Sequence, residues 1–266
     1  MTESQHLPDT AALRAALQEL AMTERLLVAL DFDGTLAPEV DDPEAARALP
    51  EAKAAALRLG AAPDTRVALV SGRALASLDR VAEMPKNVLL VGSHGIELRL
   101  DTPDATLALN AAELARVREL GALLDEVAGS FEGVWVESKP AGFGLHTRLA
   151  TDADRHAVDA LAVKRTEAEF EDLTMRQGKN VLEFSVRSTT KGEAIQLLRD
   201  YTAATATFFA GDDVTDEDAL AALGAGDVGL KVGSGETAAD FRVSTPAEAA
   251  VVLHELADLR DARAHS

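Results

Sequence analysis

The chain has 266 residues, with 45 acidic against 26 basic side chains for a formal net charge of −19, and it contains no cysteine. Disulfides, zinc–thiolate centres, iron–sulfur clusters and thiol catalysis are therefore excluded, and so acidic a surface repels the phosphate backbone of nucleic acids. It also repels a small anionic substrate, so a site for one needs a local cation, either a Lys or Arg cluster or a bound metal ion.

Predicted helices and strands alternate from the start. Leu13, Leu17 and Leu20 recur at helical spacing over 11–22, and 26–31 (LLVALD) is an unbroken apolar run ending in Asp31, as in a parallel strand buried on both faces. A helix over 51–60 begins at Pro50, a residue suited to a first helical position. A second apolar run at 66–70 closes on Ser71-Gly72-Arg73, a short helix covers 74–83, and a third run occupies 88–92. This rhythm predicts a doubly wound, Rossmann-like α/β fold with a parallel sheet and right-handed crossovers.

The pattern changes near residue 96. Segments 96–100, 131–138, 143–149, 173–177 and 181–185 alternate like antiparallel strands with one wet face, with helices over 111–128 and 152–169 between them. After about 186 the α/β rhythm returns: helix 191–200, strand 206–210, helix 215–223, a strand near 227–231 and helix 246–258. The expected organisation is a core of 1–103 and 185–266 around an inserted α+β module of 104–184. Gly224-Ala225-Gly226-Asp227-Val228-Gly229 spells G-x-G-x-x-G, but it follows a helix and precedes a strand, the reverse of the dinucleotide fingerprint. It reads as a tight helix–strand connection. No apolar run approaches the ~20 residues of a membrane helix, and the polar opening MTESQHLPDT lacks the basic-then-apolar order of a signal peptide. The expected compartment is the cytoplasm.

Four segments carry candidate chemistry, each at a predicted strand or helix end. Asp31-Phe32-Asp33-Gly34-Thr35 ends the first strand, at the edge where open α/β sheets bind ligands. Carboxylates at i and i+2 of an extended segment point the same way and repel unless a cation or proton sits between them, although Asp-x-Asp alone also describes a solvated turn. Gly211-Asp212-Asp213-Val214-Thr215-Asp216-Glu217-Asp218 follows the 206–210 strand. Asp216 to Asp218 suit a helix start, whereas Asp212 and Asp213 precede it. Two acidic strand ends on one edge suit a hard cation such as magnesium. Ser71-Gly72 could hold a phosphoryl oxygen at a helix N-terminus, or simply cap it. Lys191 opens a helix, where a cation opposes the dipole, so a functional reason competes with a plain surface lysine.

Taken together, DFDGTL (31–36), VSGR (70–73), Lys191 and GDDVTDEDA (211–219) resemble the four ordered motifs of the haloacid dehalogenase (HAD) superfamily, and the insertion resembles its C2-type cap. GSHGIEL (92–98), VESKPAGFGLHTR (136–148), GKNVLEF (178–184) and VGLKVGSGETAADF (228–241) are similar to the trehalose-6-phosphate phosphatase family, over about residues 26–258. The resemblance implies a magnesium-dependent phosphatase working through an aspartyl-phosphate. Asp31 would be the nucleophile, and Asp33 the general acid and then base. Ser71 and Gly72 would bind phosphate, with Lys191 offsetting charge. Magnesium would be held by Asp31, Asp33 through its carbonyl and Asp212, with Asp213 and Asp216 around it. In the insertion, Glu137, Lys139, Arg148, Lys179 and Glu183 would bind sugar hydroxyls, and cap closure would exclude water. Read from the residues alone, these five also describe a solvated sheet face with cross-strand ion pairs. His146, sharing a strand face with Arg148, is a weaker candidate; His94 reads as structural and Trp135 as core packing.

The expected partner is a small sugar phosphate, not nucleic acid or a membrane, with a monomer as the working assumption. Rival readings are a phosphatase of the same superfamily for sucrose phosphate or mannosyl-phosphoglycerate, a non-catalytic regulatory subunit of a sugar-synthesis complex, and an aspartyl-phosphate receiver. The intact motifs oppose the second, and length and the insertion oppose the third.

Overall fold

The computed structural model describes residues 10–101, 109–178 and 180–264. In chain order the elements are α1 (Thr10–Ala21), β1 (Leu26–Leu30), α2 (Pro50–Ala61), β2 (Thr65–Val70), α3 (Leu75–Ala82), β3 (Leu89–Gly92), β4 (Glu97–Arg99), α4 (Ala111–Ala128), β5 (Trp135–Lys139) and β6 (Gly142–His146). There follow α5 (Asp152–Glu169), β7 (Thr174–Gly178), β8 (Val181–Ser185), α6 (Lys191–Thr202), β9 (Ala206–Gly211), α7 (Glu217–Ala221), β10 (Val228–Val232), β11 (Phe241–Val243) and α8 (Pro246–Ala264). The chain divides into two compact units, Met1–Thr106 with Thr190–Ser266, and Leu107–Thr189.

The larger unit is built on a seven-stranded sheet of order β11-β10-β9-β1-β2-β3-β4. Its strands run parallel except β4, which pairs antiparallel with β3. β1 lies centrally and every one of its residues is buried. Alternate side chains serve two cores, as the two-residue period of a strand requires. Leu26, Val28 and Leu30 pack with Leu13, Leu17, Leu59 and Leu253 of α1, α2 and α8. Leu27 and Ala29 pack with Ile195 and Leu198 of α6 and with Leu220. β1 is flanked by β2 on one side and β9 on the other, so the strand order reverses there. The carboxyl ends of the strands at such a reversal form a binding crevice, and Asp31, Ser71 and Asp212 follow the three strands that meet at it.

Several elements differ from their sequence signals. Residues 96–100 add β4 to the edge of the large sheet rather than to the insertion's sheet. β11 was not legible, since three residues are too few to show a period. The stretch 215–223 contains a 3-10 turn over Val214–Asp216 before the short α7. The G-x-G-x-x-G stretch is a turn in which buried Asp227 accepts hydrogen bonds from the amides of Gly224 (2.9 Å) and Thr207 (2.8 Å).

The smaller unit has an antiparallel sheet of order β5-β6-β8-β7. α4 packs on one face, with Phe143 against Gly121. The return to the larger unit falls at Thr190, later than the expected residue 185, because the chain after β8 stays tied to the insertion. Val186 N–H donates to the Ala141 carbonyl (2.8 Å), the Arg187 guanidinium forks onto Glu113 (3.0 and 2.7 Å), and Arg176 donates to the Thr189 carbonyl (2.5 Å).

α8 continues past the expected end at 258 because Arg260 has a place to go. Its side chain is 2% exposed and donates to Thr65 Oγ1 (3.0 Å) and to the carbonyls of Ala21 (2.8 Å), Thr23 (2.8 Å), Pro63 (3.1 Å) and Asp64 (3.0 Å). The guanidinium closes the bottom of the sheet, opposite the strand ends that carry the acids. Removing it strands several buried acceptors, each costing about 1–3 kcal/mol. Arg260→Ala should destabilise the fold by about 2–4 kcal/mol, and Arg260→Lys should restore only part, because one ammonium cannot reach five acceptors; urea melts check both.

Candidate active site

The site is organised around a buried ammonium. α6 starts at Lys191 for local reasons: Thr190 Oγ1 accepts from the Glu193 amide (3.2 Å) and Glu193 Oε2 from the Thr190 amide (3.0 Å), a reciprocal capping box. That start aims the Lys191 side chain into the end of the sheet, where it is 3% exposed. Lys191 Nζ donates to Asp31 Oδ1 (2.7 Å) and to Asp216 Oδ1 (2.6 Å). The other oxygen of Asp216 accepts from the amides of Asp212 (3.0 Å) and Asp213 (2.9 Å). Asp216 therefore fixes both the lysine and the acidic loop. Behind that loop, buried Lys231 donates to Glu217 Oε1 (2.8 Å) and to the Asp213 carbonyl (3.3 Å).

Three carboxyls gather here. Asp31, Asp212 and Asp216 each offer an oxygen, and these atoms lie within 4.8 Å of one another. Burial pushes the Asp31 carboxyl well above its ordinary range against the pull of Lys191, and the charges of Asp216 and Asp212 push it further. Burial, then the Asp216 charge, pushes Asp212 up to about 6. Lys191 is depressed by burial alone, but the charges of Asp31 and Asp216 overrule this and hold it above the usual lysine range. One ammonium does not balance three carboxylates. The facing oxygens of Asp31 and Asp212 are within 4.8 Å of each other, a proximity that only a shared proton or a cation makes favourable. The donor set, all oxygen and in electrostatic deficit, fits a hard divalent cation. Gly34 (φ 79°) makes the turn over this space, and a Cβ there would run into the Asp212 carboxylate.

The structure redistributes the predicted site residues. Asp216, expected chiefly as a helix-start residue, is the buried third carboxyl; Asp213 is exposed and its side chain is not in the cluster. The i, i+2 pair does not share a partner, because the chain leaves β1 at Leu30 and turns. The Asp33 carboxylate forks onto the Arg73 guanidinium at 2.5 and 2.7 Å, while Asp31 faces Lys191. Ser71 is buried and its Oγ accepts from the Arg73 amide (3.1 Å). The first residue of α3 is capped from elsewhere: Glu97 Oε2 accepts from the Leu75 amide (2.8 Å). A Cβ on Gly72 would strike the His94 imidazole, so His94 backs this loop. Arg73 was the residue missed; the signal available was an arginine with no assigned task beside Asp-x-Asp in a chain short of cations.

In the smaller unit, register places Trp135, Glu137 and Lys139 of β5 on one face with His146 of β6 and Glu183 of β8. Lys139 Nζ pairs with Glu183 Oε1, and His146 Nε2 lies 2.7 Å from Glu137 Oε2. Trp135 is 39% exposed, not core, and stacks on His146 with ring centroids 4.9 Å apart. β6 ends at His146, so Arg148 sits exposed in the following turn rather than on the strand face. Lys179 lies outside the described residues. No helix among the described residues is long and apolar enough to cross a membrane.

This architecture is the HAD-like α/β fold. A phosphatase of the haloalkanoate (HAD) superfamily from Bacteroides thetaiotaomicron superposes with a TM-score of 0.59 at 17% identity, over 86% of this chain and 92% of that one. Trehalose-6-phosphate phosphatase from Aspergillus fumigatus superposes with a TM-score of 0.68 at 26% identity, over 92% of this chain and 97% of that one. The trehalose-phosphatase family model matches residues 29–246, and the chain belongs to that family. Trehalose-phosphate phosphatase from Mycobacterium ulcerans is 35% identical over 267 residues, covering 94% of this chain and 66% of that protein. The chain thus spans 66% of the length of this curated relative.

The raised carboxyls set a sign. Asp212 titrates near 6 folded against an ordinary 3.8, so its contribution to stability is present below that ordinary value and lost as pH rises through 6. In chelator, the melting temperature should fall from about pH 5 to about pH 7.5. Asp212→Asn should flatten that fall and melt a few degrees higher at the upper pH; calorimetry of both proteins checks it.

Proposed function

We propose that the chain is a phosphatase that cleaves trehalose 6-phosphate to trehalose and inorganic phosphate through a covalent intermediate on Asp31. The observation that carries the reading is the cluster of buried Asp31 and Asp216, both paired with Lys191, together with half-buried Asp212. A phosphate monoester brings more negative charge, and phosphoryl transfer depends chiefly on positioning and charge neutralisation. Family membership supports the choice of substrate.

In this reading Lys191 orients Asp31 and offsets its charge as a carboxylate oxygen attacks phosphorus. The phosphorus–sugar oxygen bond breaks, and the leaving oxygen takes a proton from Asp33. Asp33 then removes a proton from water, which attacks the same phosphorus, breaks the bond to Asp31 and releases phosphate. Each half uses an in-line displacement, so one difficult step becomes two easier ones. Asp33 must part from the Arg73 guanidinium to reach the sugar oxygen, which gives Arg73 a hold on when it acts. Ser71 and the Gly72 amide bind phosphoryl oxygens. Asp31 and Asp212, with the Asp33 carbonyl, hold magnesium, and Asp216 fixes their surroundings; bound there, the ion would neutralise charge on the transferring group. Asp213, exposed, has no place in this set. Glu137, Lys139, Arg148, Lys179 and Glu183 bind the sugar hydroxyls. The expected cytoplasmic setting goes with this reading, supported by the cysteine-free composition.

The test is a panel of trehalose 6-phosphate, sucrose phosphate, mannosyl-phosphoglycerate and p-nitrophenyl phosphate, assayed by phosphate release with magnesium and with chelator. Trehalose 6-phosphate should be preferred, chelator should stop turnover, and Asp31→Asn should stay folded with turnover at background. Glu137→Ala and Glu183→Ala should each lower kcat/KM for trehalose 6-phosphate about ten- to a hundredfold, the worth of a charged hydrogen bond, and leave the small ester within about twofold. Wild-type turnover by Asp31→Asn refutes the mechanism, and equal losses on both substrates refute sugar reading.

A further inference from the structure

Trp135 is the only tryptophan of the chain, and its placement is unlike that of a core residue. Directly opposite His146 in the β5–β6 register, it lies almost parallel to that ring, 4° apart at 4.9 Å between centroids. The pair has support from below and beside. Glu137 Oε2 accepts from His146 Nε2 at 2.7 Å, and since a carboxylate only accepts, the proton sits on that nitrogen. The imidazole is thereby fixed in orientation beneath the indole. Gly144 stands opposite both Glu137 and Glu183, so no side chain of the middle strand separates the two acids, and the side chains of His146, Val181 and Lys139 close over it. The large apolar side chains of these strands, Phe143, Leu145, Leu182 and Phe184, alternate to the other face, where α4 packs. The near face thus carries the stacked aromatic pair, Val181 opposite His146, Glu137 and the Lys139–Glu183 pair.

We propose that Trp135, held by His146, is a stacking platform for a pyranose ring, and that it sets specificity for the disaccharide part of the substrate. A sugar ring has an apolar face of C–H groups and an equatorial rim of hydroxyls. An indole face takes the first, and adjacent acid and ammonium groups take the second. An unsubstituted aromatic surface of this kind has no use for a phosphate group, so the platform reads the sugar and not the ester. The proposal rests on the trehalose 6-phosphate reading above and adds to it a residue that touches the substrate.

The experiment uses the full chain with magnesium. Fluorescence excited selectively at tryptophan reports Trp135 alone, so titration with free trehalose should shift and saturate its emission, while inorganic phosphate should not. Trp135→Ala should raise KM for trehalose 6-phosphate about five- to tenfold, the scale of a ring contact, with kcat within about twofold and p-nitrophenyl phosphate hydrolysis unchanged. Trp135→Phe, which keeps a ring on the imidazole, should recover most of the KM; a merely structural role would not separate KM from kcat in this way. If the unmodified chain leaves trehalose 6-phosphate intact, the reading of the activity falls and the platform with it. If it hydrolyses trehalose 6-phosphate but Trp135→Ala has the original KM, or saturating trehalose leaves the emission unmoved, the platform alone is overturned.

Discussion

Three carboxyl groups and one ammonium share a space from which water is largely excluded, and the larger unit is arranged to make that tolerable. Isolated ions in such a place cost many kcal/mol, and even a paired one gains little net stability. Here the Lys191 ammonium serves two carboxylates at 2.7 and 2.6 Å, and two backbone amides serve the second oxygen of Asp216. Asp31 and Asp212 remain in deficit, which is why burial and the Asp216 charge drive both upward. An arrangement that stability alone would not select is one that a divalent cation and a phosphoryl group can complete.

The rest of the larger unit explains how the deficit is held in place. β1 is buried on both faces and fixed between β2 and β9, so the backbone at Asp31 has little freedom. A capping box fixes where α6 begins, and hence where Lys191 points. Lys231 and Glu217 brace the acidic loop from behind. The repulsion among the acids is thus opposed by hydrophobic packing and backbone hydrogen bonds some distance from it, as strain at functional sites commonly is.

Much of this was legible in the sequence because each signal was local. Apolar runs of five or six residues marked the buried strands, and acids, a lysine and Gly-containing turns at their ends marked the crevice. What escaped depended on tertiary partners. The sequence distinguishes Asp213 from Asp216 only by distance from a helix start, whereas the fold buries one and exposes the other. Nothing local says that Arg73 takes Asp33 at 2.5 Å, or that Arg260 extends α8 because five acceptors from distant segments await it. Trp135 misled for a related reason: alternation shows that a residue shares a face, not whether anything covers that face.

The proposed mechanism requires Asp31 to act as an acceptor of phosphate rather than as a member of a structural ion cluster. Rapid acid quench of the chain during turnover of trehalose 6-phosphate, followed by peptide mass spectrometry, tests this most directly. The proposed mechanism predicts an acyl phosphate on the peptide that carries Asp31, lost when Asp31 is replaced by asparagine. Steady turnover with no phosphorylated peptide at any quench time, or with phosphate on another side chain, would contradict it.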